Sequence, residues 1–265
     1  MSSWLSIAGM LLGAVLGGVF LFFFTTTRGT LLWRRFRGET QDPASNVYAI
    51  YGNRHLIHWV DMQAVISAIL LCQYGRLVDK IVADLRQTDL RNQRCLMTSC
   101  AFGNVMPRVA QAAQDSGAAE LEVVDIIDHE LKHAARKLQH LAIQQNYRVD
   151  NATQLSVASN SVAANLMFFL LHELPPAHKA LVLQEAVRVL KPGGKFYLAE
   201  FHRPDAGWLR CLSWLYFKVF EPWGLDLWSR QDPLAMLEAS GQVHCRRQTF
   251  AGGNFQVIVA TKHHS

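Results

Sequence analysis

Cysteine is scarce in this chain and poorly spaced for chemistry. The five residues Cys72, Cys95, Cys100, Cys211 and Cys245 form no CxxC pair, which excludes a zinc ribbon and a disulfide scaffold and reads as reduced, mostly buried thiols. Cys100 stands apart only by its position, described below. Charge is also thin: 18% of residues are charged and the formal excess is +5. No basic stripe with interleaved aromatics appears, so nucleic acid is not expected as a partner. Repeats and low-complexity tracts are absent as well. What the chain has in quantity is apolar residues, 50% of 265, enough to fill one substantial core and to exclude disorder.

Much of the positive charge sits in one place. Leu5 to Phe24 runs without a charge, and Arg28, Arg34, Arg35 and Arg37 follow it. Twenty helical residues rise about 30 Å, the thickness of a bilayer's hydrocarbon core. A cleaved signal peptide would need a basic start, a shorter run and a small-residue cleavage site. The pattern predicts a single-pass transmembrane anchor over 1–24, a basic linker over 25–47 and one domain over 48–265. The positive-inside rule puts that domain on the cytoplasmic side, or on the matrix side in a mitochondrion. Gly9, Gly13 and Gly17 fall four apart, a spacing that permits two anchors to pack as a homodimer. Glycine is common in membrane helices anyway, so the spacing does not decide the matter.

Beyond a polar linker, Tyr51 to Arg86 carries apolar residues at helical spacing. Strand and helix patterns then alternate. Strands are expected at Arg94–Thr98, Glu120–Val124, Tyr147–Val149, Ala163–Phe169 and Lys195–Phe201, with helices at Val105–Asp115, Glu130–Gln144 and Ala177–Leu190. This alternation predicts an α/β fold with a doubly wound, mostly parallel, Rossmann-like sheet. Two further runs, Val243–Phe250 and Phe255–Thr261, flank Ala251-Gly252-Gly253-Asn254 and predict an antiparallel hairpin at one edge. In such sheets ligands bind at the carboxyl ends of the strands.

The loop after the first strand, Met97-Thr98-Ser99-Cys100-Ala101-Phe102-Gly103-Asn104, therefore marks a nucleotide-like site. It has one glycine, yet Ser99, Ala101 and Gly103 are small enough for a close turn. Asp125 ends the second strand roughly twenty residues further on, where an acid accepts hydrogen bonds from ribose hydroxyls. A surface Asp at a strand end is the common alternative. Asp150 and Asn151, after the third strand, are placed to meet an adenine amino group. The fourth strand ends in His172-Glu173 and the fifth in Glu200-Phe201-His202. His172 is a candidate general base. Together His172, Glu173, Glu200 and His202 form a candidate metal set, although simple hydrogen bonding is the more frequent fate of such rim residues. Gly207 to Trp228 is rich in Trp, Tyr and Phe, which suits a lid over an apolar acceptor and contact with a bilayer interface; an ordinary core helix is the alternative.

Several segments carry a family resemblance. VLKPGGKFYLAEF (Val189 to Phe201) resembles class I S-adenosylmethionine (SAM) methyltransferases, and within them the ubiquinone/menaquinone C-methyltransferases. CAFGNVMPRVA (Cys100 to Ala110), VVDIIDHELKHAARKL (Val123 to Leu138), FFLLHELP (Phe168 to Pro175), FHRP (Phe201 to Pro204) and EPWGLDLW (Glu221 to Trp228) look more like the RquA-type rhodoquinone-biosynthesis proteins. Usual methyltransferase loops have an acid where Met97 stands and glycines where Ser99 and Ala101 stand, and RquA-type proteins also depart from that loop.

The resemblance implies a SAM-binding domain acting on a quinone lipid, with Cys100, Gly103, Asp125 and Asp150 around the cofactor. By their positions at the strand ends, Ile126 and Asn151 join that expected set, and His172, Glu173 and His202 are the expected catalytic groups. RquA-type enzymes replace a methoxy group of ubiquinone by an amino group taken from SAM and are linked to a divalent metal, typically manganese. Amino transfer is the first expectation and methyl transfer to a quinone or phenolic lipid the second. A non-catalytic membrane scaffold that kept the fold is the third.

Overall fold

The computed structural model describes residues 24–37, 61–228 and 231–264, with scattered positions between 10 and 22. Its centre is a seven-stranded sheet in the order β3-β2-β1-β4-β5-β7-β6. The strands are β1 (Arg94–Thr98), β2 (Glu120–Asp125), β3 (Gln144–Val149), β4 (Val162–Phe168), β5 (Leu190–Phe201), β6 (Val243–Phe250) and β7 (Phe255–Lys262). The first five pair in parallel, while β7 runs antiparallel to β5 and β6 antiparallel to β7. The expected hairpin is present, and β6 is the outer strand.

Alternation along the strands sorts side chains between two cores, as a period of two requires. Cys95, Met97, Tyr197 and Ala199 join one cluster, and Leu96, Phe196 and Leu198 the other. Helices α1 (Thr30–Phe36) and α2 (Gln63–Ile69) precede the sheet. Helices α3 (Tyr74–Leu85), α4 (Val105–Asp115) and α5 (Asp128–Leu138) cover the first face; α6 (Pro176–Arg188) and α8 (Pro233–Glu238) cover the second. Helix α7 (Gly207–Val219) and the 3-10 segment Pro222–Trp228 lie over the carboxyl ends of the strands.

Several boundaries differ from the sequence expectation: the helix expected over Glu130–Gln144 ends at Leu138, and β3 begins at Gln144 rather than Tyr147. Two further differences have identifiable reasons. Residues 51–60 of the helical pattern expected from Tyr51 to Arg86 lie outside the described residues; the rest is divided between α2 and α3, where Leu71 and Cys72 take left-handed backbone conformations. Strand β5 begins five residues before Lys195. Its Pro192-Gly193-Gly194 turn is absorbed as an irregularity against β4, with Gly193 at φ +75°.

The expected transmembrane helix over Leu5 to Phe24 is not supported. Many of its positions lie outside the described residues, and among the described residues no helix is long and apolar enough to cross a membrane. The described helix continues past Phe24 through the π-helical turn Thr25–Gly29 into α1, so its apolar run gives way to Arg28, Arg34 and Arg35. It also contacts the body of the protein. Phe20 meets Phe220 edge-on at 5.3 Å, and the Arg28 guanidinium donates to the Lys218 carbonyl. The single-pass, membrane-anchored localisation drawn from that run is withdrawn with it.

Candidate functional site

The carboxyl ends of β1, β2 and β4 open into a cleft of about 1020 Å³, open solvent at its mouth included. Its walls include Ser99, Cys100, Asp125, Ile126, Glu130, Asp150, Asn151, Phe169 and Glu173. Most of the residues expected around a cofactor are thus brought together. Gly103 is the exception. It does not line the cleft but shapes the loop behind it.

That loop is held from three directions. Asp125 Oδ2 accepts from the Cys100 N–H at 2.7 Å and the Ser99 hydroxyl at 3.2 Å, while Oδ1 accepts from the Ile127 N–H at 2.9 Å. Burial pushes the Asp125 carboxyl upward, and these donors work against that push. The Tyr74 hydroxyl accepts from the Val105 N–H at 2.6 Å and donates to the Phe102 carbonyl at 3.1 Å. Asp61 accepts from the Gly103 N–H at 2.6 Å and pairs with His133 at 2.7 Å and Lys137 at 2.8 Å. Gly103 needs its freedom: φ is +73°, and a Cβ there would lie 2.6 Å from Tyr74 Oη. A loop with one glycine still makes the tight turn because Ser99 also adopts φ +75°.

Cys100 is not built as a nucleophile. Burial, then the neighbouring carboxyl groups of Asp125 and Glu130, which are negative wherever a thiol would ionise, hold its thiol far above the usual range, so it stays protonated. Asp150 is occupied locally, accepting from the Ser156 N–H at 2.8 Å and the Ser156 hydroxyl at 3.2 Å.

The two histidines part company. His202 donates through Nδ1 to the Gly253 carbonyl, 2.7 Å away, and lines a different cavity with Arg203, Asp205 and Asp232. His172 is buried beside the cleft. Its Nδ1 lies 2.9 Å from Glu200 Oε1, and its Nε2 lies 3.4 Å from Glu221 and 3.8 Å from Glu173. Burial opposes charge on this imidazole, but Glu200, Glu221 and Glu173 outweigh it and raise its pKa to about 9. His172 therefore carries its proton at neutral pH and sits as an imidazolium among carboxylates. Glu200, fully buried, accepts four donors: the ring of His172 and the N–H groups of Leu171, His172 and Phe201. Its role is to fix the β4–α6 loop. Sequence spacing missed Glu221, which reaches His172 because the buried Lys179 donates to the Trp223 carbonyl and holds that segment down.

The candidate metal set does not assemble. Among the described residues no group of three or more His, Cys, Asp or Glu is placed to hold a metal ion. His172 is spent on carboxylate pairs and His202 on a backbone carbonyl. Manganese is not carried forward.

A second, mostly apolar hollow of about 580 Å³, open solvent at its mouth included, lies under α7 and is lined by Ile69, Leu71, Phe201, Leu212, Tyr216 and Phe217 among others. The Phe169 ring in the wall of the cleft and the Phe201 ring in the wall of this cavity meet edge-on at 5.1 Å. Phe201 also packs on His172 at 4.8 Å.

The fold recurs in solved structures. A SAM-dependent methyltransferase from Aquifex aeolicus superposes with a TM-score of 0.50 at 16% identity, over 70% of this chain and 89% of the other. The [4+2]-cyclase SpnF superposes with a TM-score of 0.52 at 15% identity, over 71% and 81%. At such identities the likeness shows the fold alone, and a fold shared with a cyclase does not select one reaction. The ubiquinone/menaquinone biosynthesis C-methyltransferase UbiE of Rickettsia felis is 34% identical over 121 residues, 44% of this chain and 48% of that protein. The UbiE of Rickettsia prowazekii is likewise 34% identical over 122 residues, 45% and 48%. The chain thus spans about half the length of the curated relatives it matches. With a family model matched across residues 55–253, the chain belongs to the ubiE/COQ5 methyltransferase family.

Proposed function

We propose that this protein uses SAM to modify the ring of a quinone lipid, and that the group transferred is the amino group, replacing a methoxy substituent of ubiquinone to give rhodoquinone. The observation that carries the general reading is the adjacency of two unlike spaces. One is an acidic cleft at the strand ends with Asp125 in its wall; the other is an apolar cavity beneath α7, and the Phe169–Phe201 ring pair separates them.

The residues of the cleft suit SAM. Asp125 retains acceptor capacity on Oδ1 for ribose hydroxyls, Ile126 and Phe169 offer apolar walls for an adenine, and the acidic lining favours a cationic ligand. SAM supplies the transferable group when bound. The chain's own contribution is to hold the two partners in line and exclude water. His172, paired with Glu200 and Glu221, packs on Phe201 and fixes that ring in the wall of the acceptor cavity.

The lipid-soluble acceptor is supported by α7. It exposes Trp208, Leu212, Trp214 and Leu215, all about half or more accessible, and apolar side chains grouped in this way suit a long isoprenoid tail. Amino rather than methyl transfer rests on the FFLLHELP, FHRP and EPWGLDLW segments. The second reading, C-methyl transfer, is favoured by the UbiE relatives. Calorimetry of SAM binding, followed by mass spectrometry of the quinone fraction after incubation with SAM and ubiquinone, tests both. An aminoquinone product is expected. A methylated quinone would select the second reading, and absence of SAM binding would refute both.

A further inference from the structure

We infer that Glu130 is the counter-ion for the positive charge of the bound cofactor, and that it gives up a proton when the cofactor enters. This rests on the reading of the cleft as a SAM site.

The geometry comes first. Glu130 stands in the first turn of α5 and lines the cleft beside Ser99, Cys100, Phe102 and Asp125. It is 4% exposed, and its Oε1 has no hydrogen-bond partner among the described residues. A buried carboxyl oxygen left without a partner is costly and uncommon. The groups facing it do not offer one. Asp125 and Glu173 are acidic, and the Cys100 thiol is held protonated. On its own helix, Lys137 and His133 are both turned to Asp61.

The electrostatics follow from that placement. Burial, then Asp125, Asp61 and Glu173, raise the Glu130 carboxyl to about 8, with Lys137 opposing them. Without a cation in the cleft Glu130 is neutral at pH 7. SAM is a cation at its sulfonium and carries an ammonium as well. An opposite charge within a few ångströms favours the ionised carboxyl, so binding and deprotonation are linked. The protein exchanges a neutral acid for an ion pair in the cleft and releases the proton to solvent.

The test is titration calorimetry of SAM into the wild-type chain near pH 7, in two buffers of different ionisation enthalpy. The buffer dependence of the heat should report release of about one proton, vanishing well above pH 8, and the affinity should fall by about tenfold per pH unit below that value. E130Q should abolish the release, flatten the pH profile and bind SAM at least about tenfold more weakly above pH 8. Its thermal stability at pH 7 should match the wild type, since a neutral acid is replaced by a neutral amide. SAM binding without buffer-dependent heat would overturn the inference while leaving the cofactor reading intact. Retention of the release in E130Q would assign it to Asp125 and also overturn it. Absence of SAM binding by the wild-type chain would remove the cofactor reading and this inference together.

Discussion

His172 and Glu200 form a buried ion pair, Nδ1 to Oε1, at 2.9 Å. The pair ties the 3-10 turn after β4 to the end of β5, and Glu221 closes on the opposite ring nitrogen. The folded pKa of His172, about 9, lies above its unfolded value of 6.5. Its contribution to stability is therefore complete below about pH 6.5 and is lost as pH rises through 9. Denaturant unfolding measured across that window should show a steady decline that H172N shows only in part, the remainder coming from the Glu130 carboxyl, which is raised to about 8 in the fold. A wild-type profile flat over the same range would show that the imidazole is neutral in the fold.

Removing one partner of this pair should cost far more than a surface ion pair. E200Q strands the His172 imidazolium and weakens the acceptors for the N–H groups of Leu171, His172 and Phe201, so a loss of about 3–5 kcal/mol is expected. Guanidinium melts would measure it. A loss below about 1 kcal/mol would mean that Glu200 does not hold this turn in place.

Asp125 braces the loop and lines the cleft at once. D125A frees the N–H groups of Cys100 and Ile127 and removes the acceptor expected for ribose. SAM affinity should drop by about tenfold or more, the scale of a hydrogen bond to a charged group. D125E, whose longer side chain disturbs the Cys100 contact, should fall between. Calorimetry with unchanged affinity in D125A would remove Asp125 from the site.

The turn at Gly103 leaves no room for a side chain. G103A places a methyl group against Tyr74 Oη in a left-handed conformation, and about 1–3 kcal/mol of destabilisation is expected. Y74F relieves part of the clash but loses the Val105 and Phe102 hydrogen bonds. The double variant should therefore cost less than the sum of the singles in thermal melts, as contacting sites do.

Leu212 is exposed on one side and borders the apolar cavity. L212Q should change stability by no more than about 0.5 kcal/mol, as at other exposed positions. It should nevertheless raise KM for a long-tailed quinone more than for a short-tailed one. Equal KM for both tails in the wild type would separate α7 from acceptor binding.

Local patterns carried much of this in the sequence. Strand-helix alternation disclosed the sheet, the Gly252-Gly253 turn disclosed the hairpin, and the place of Asp125 in the cleft was legible because a strand end and a loop fix it. Cys100, Asp150, Asn151 and Glu173 reach the same cleft for that reason. Groups that act through tertiary pairing were hidden. Asp61 supports Gly103 from 42 residues away, and Glu221 meets His172 only because the segment after α7 folds back. Glu130 sits in DHELKHAARKL, which reads as the charged face of an amphipathic helix; only burial separates it from its neighbours. His172 looked like a free base because carboxylates on other elements, which suppress that role, are invisible to spacing. The amino-terminal run misled because hydropathy counts residues and ignores where the helix packs.

Amino transfer from SAM to a quinone ring is tested directly by one labelling experiment. The purified chain would be incubated with ubiquinone and SAM carrying heavy nitrogen in the amino group and heavy carbon in the methyl group, and the quinones analysed by mass spectrometry. The heavy nitrogen should appear on the ring with loss of one methoxy group, and the heavy methyl should not. Heavy methyl on the quinone, or neither label in the presence of bound SAM, would contradict the claim.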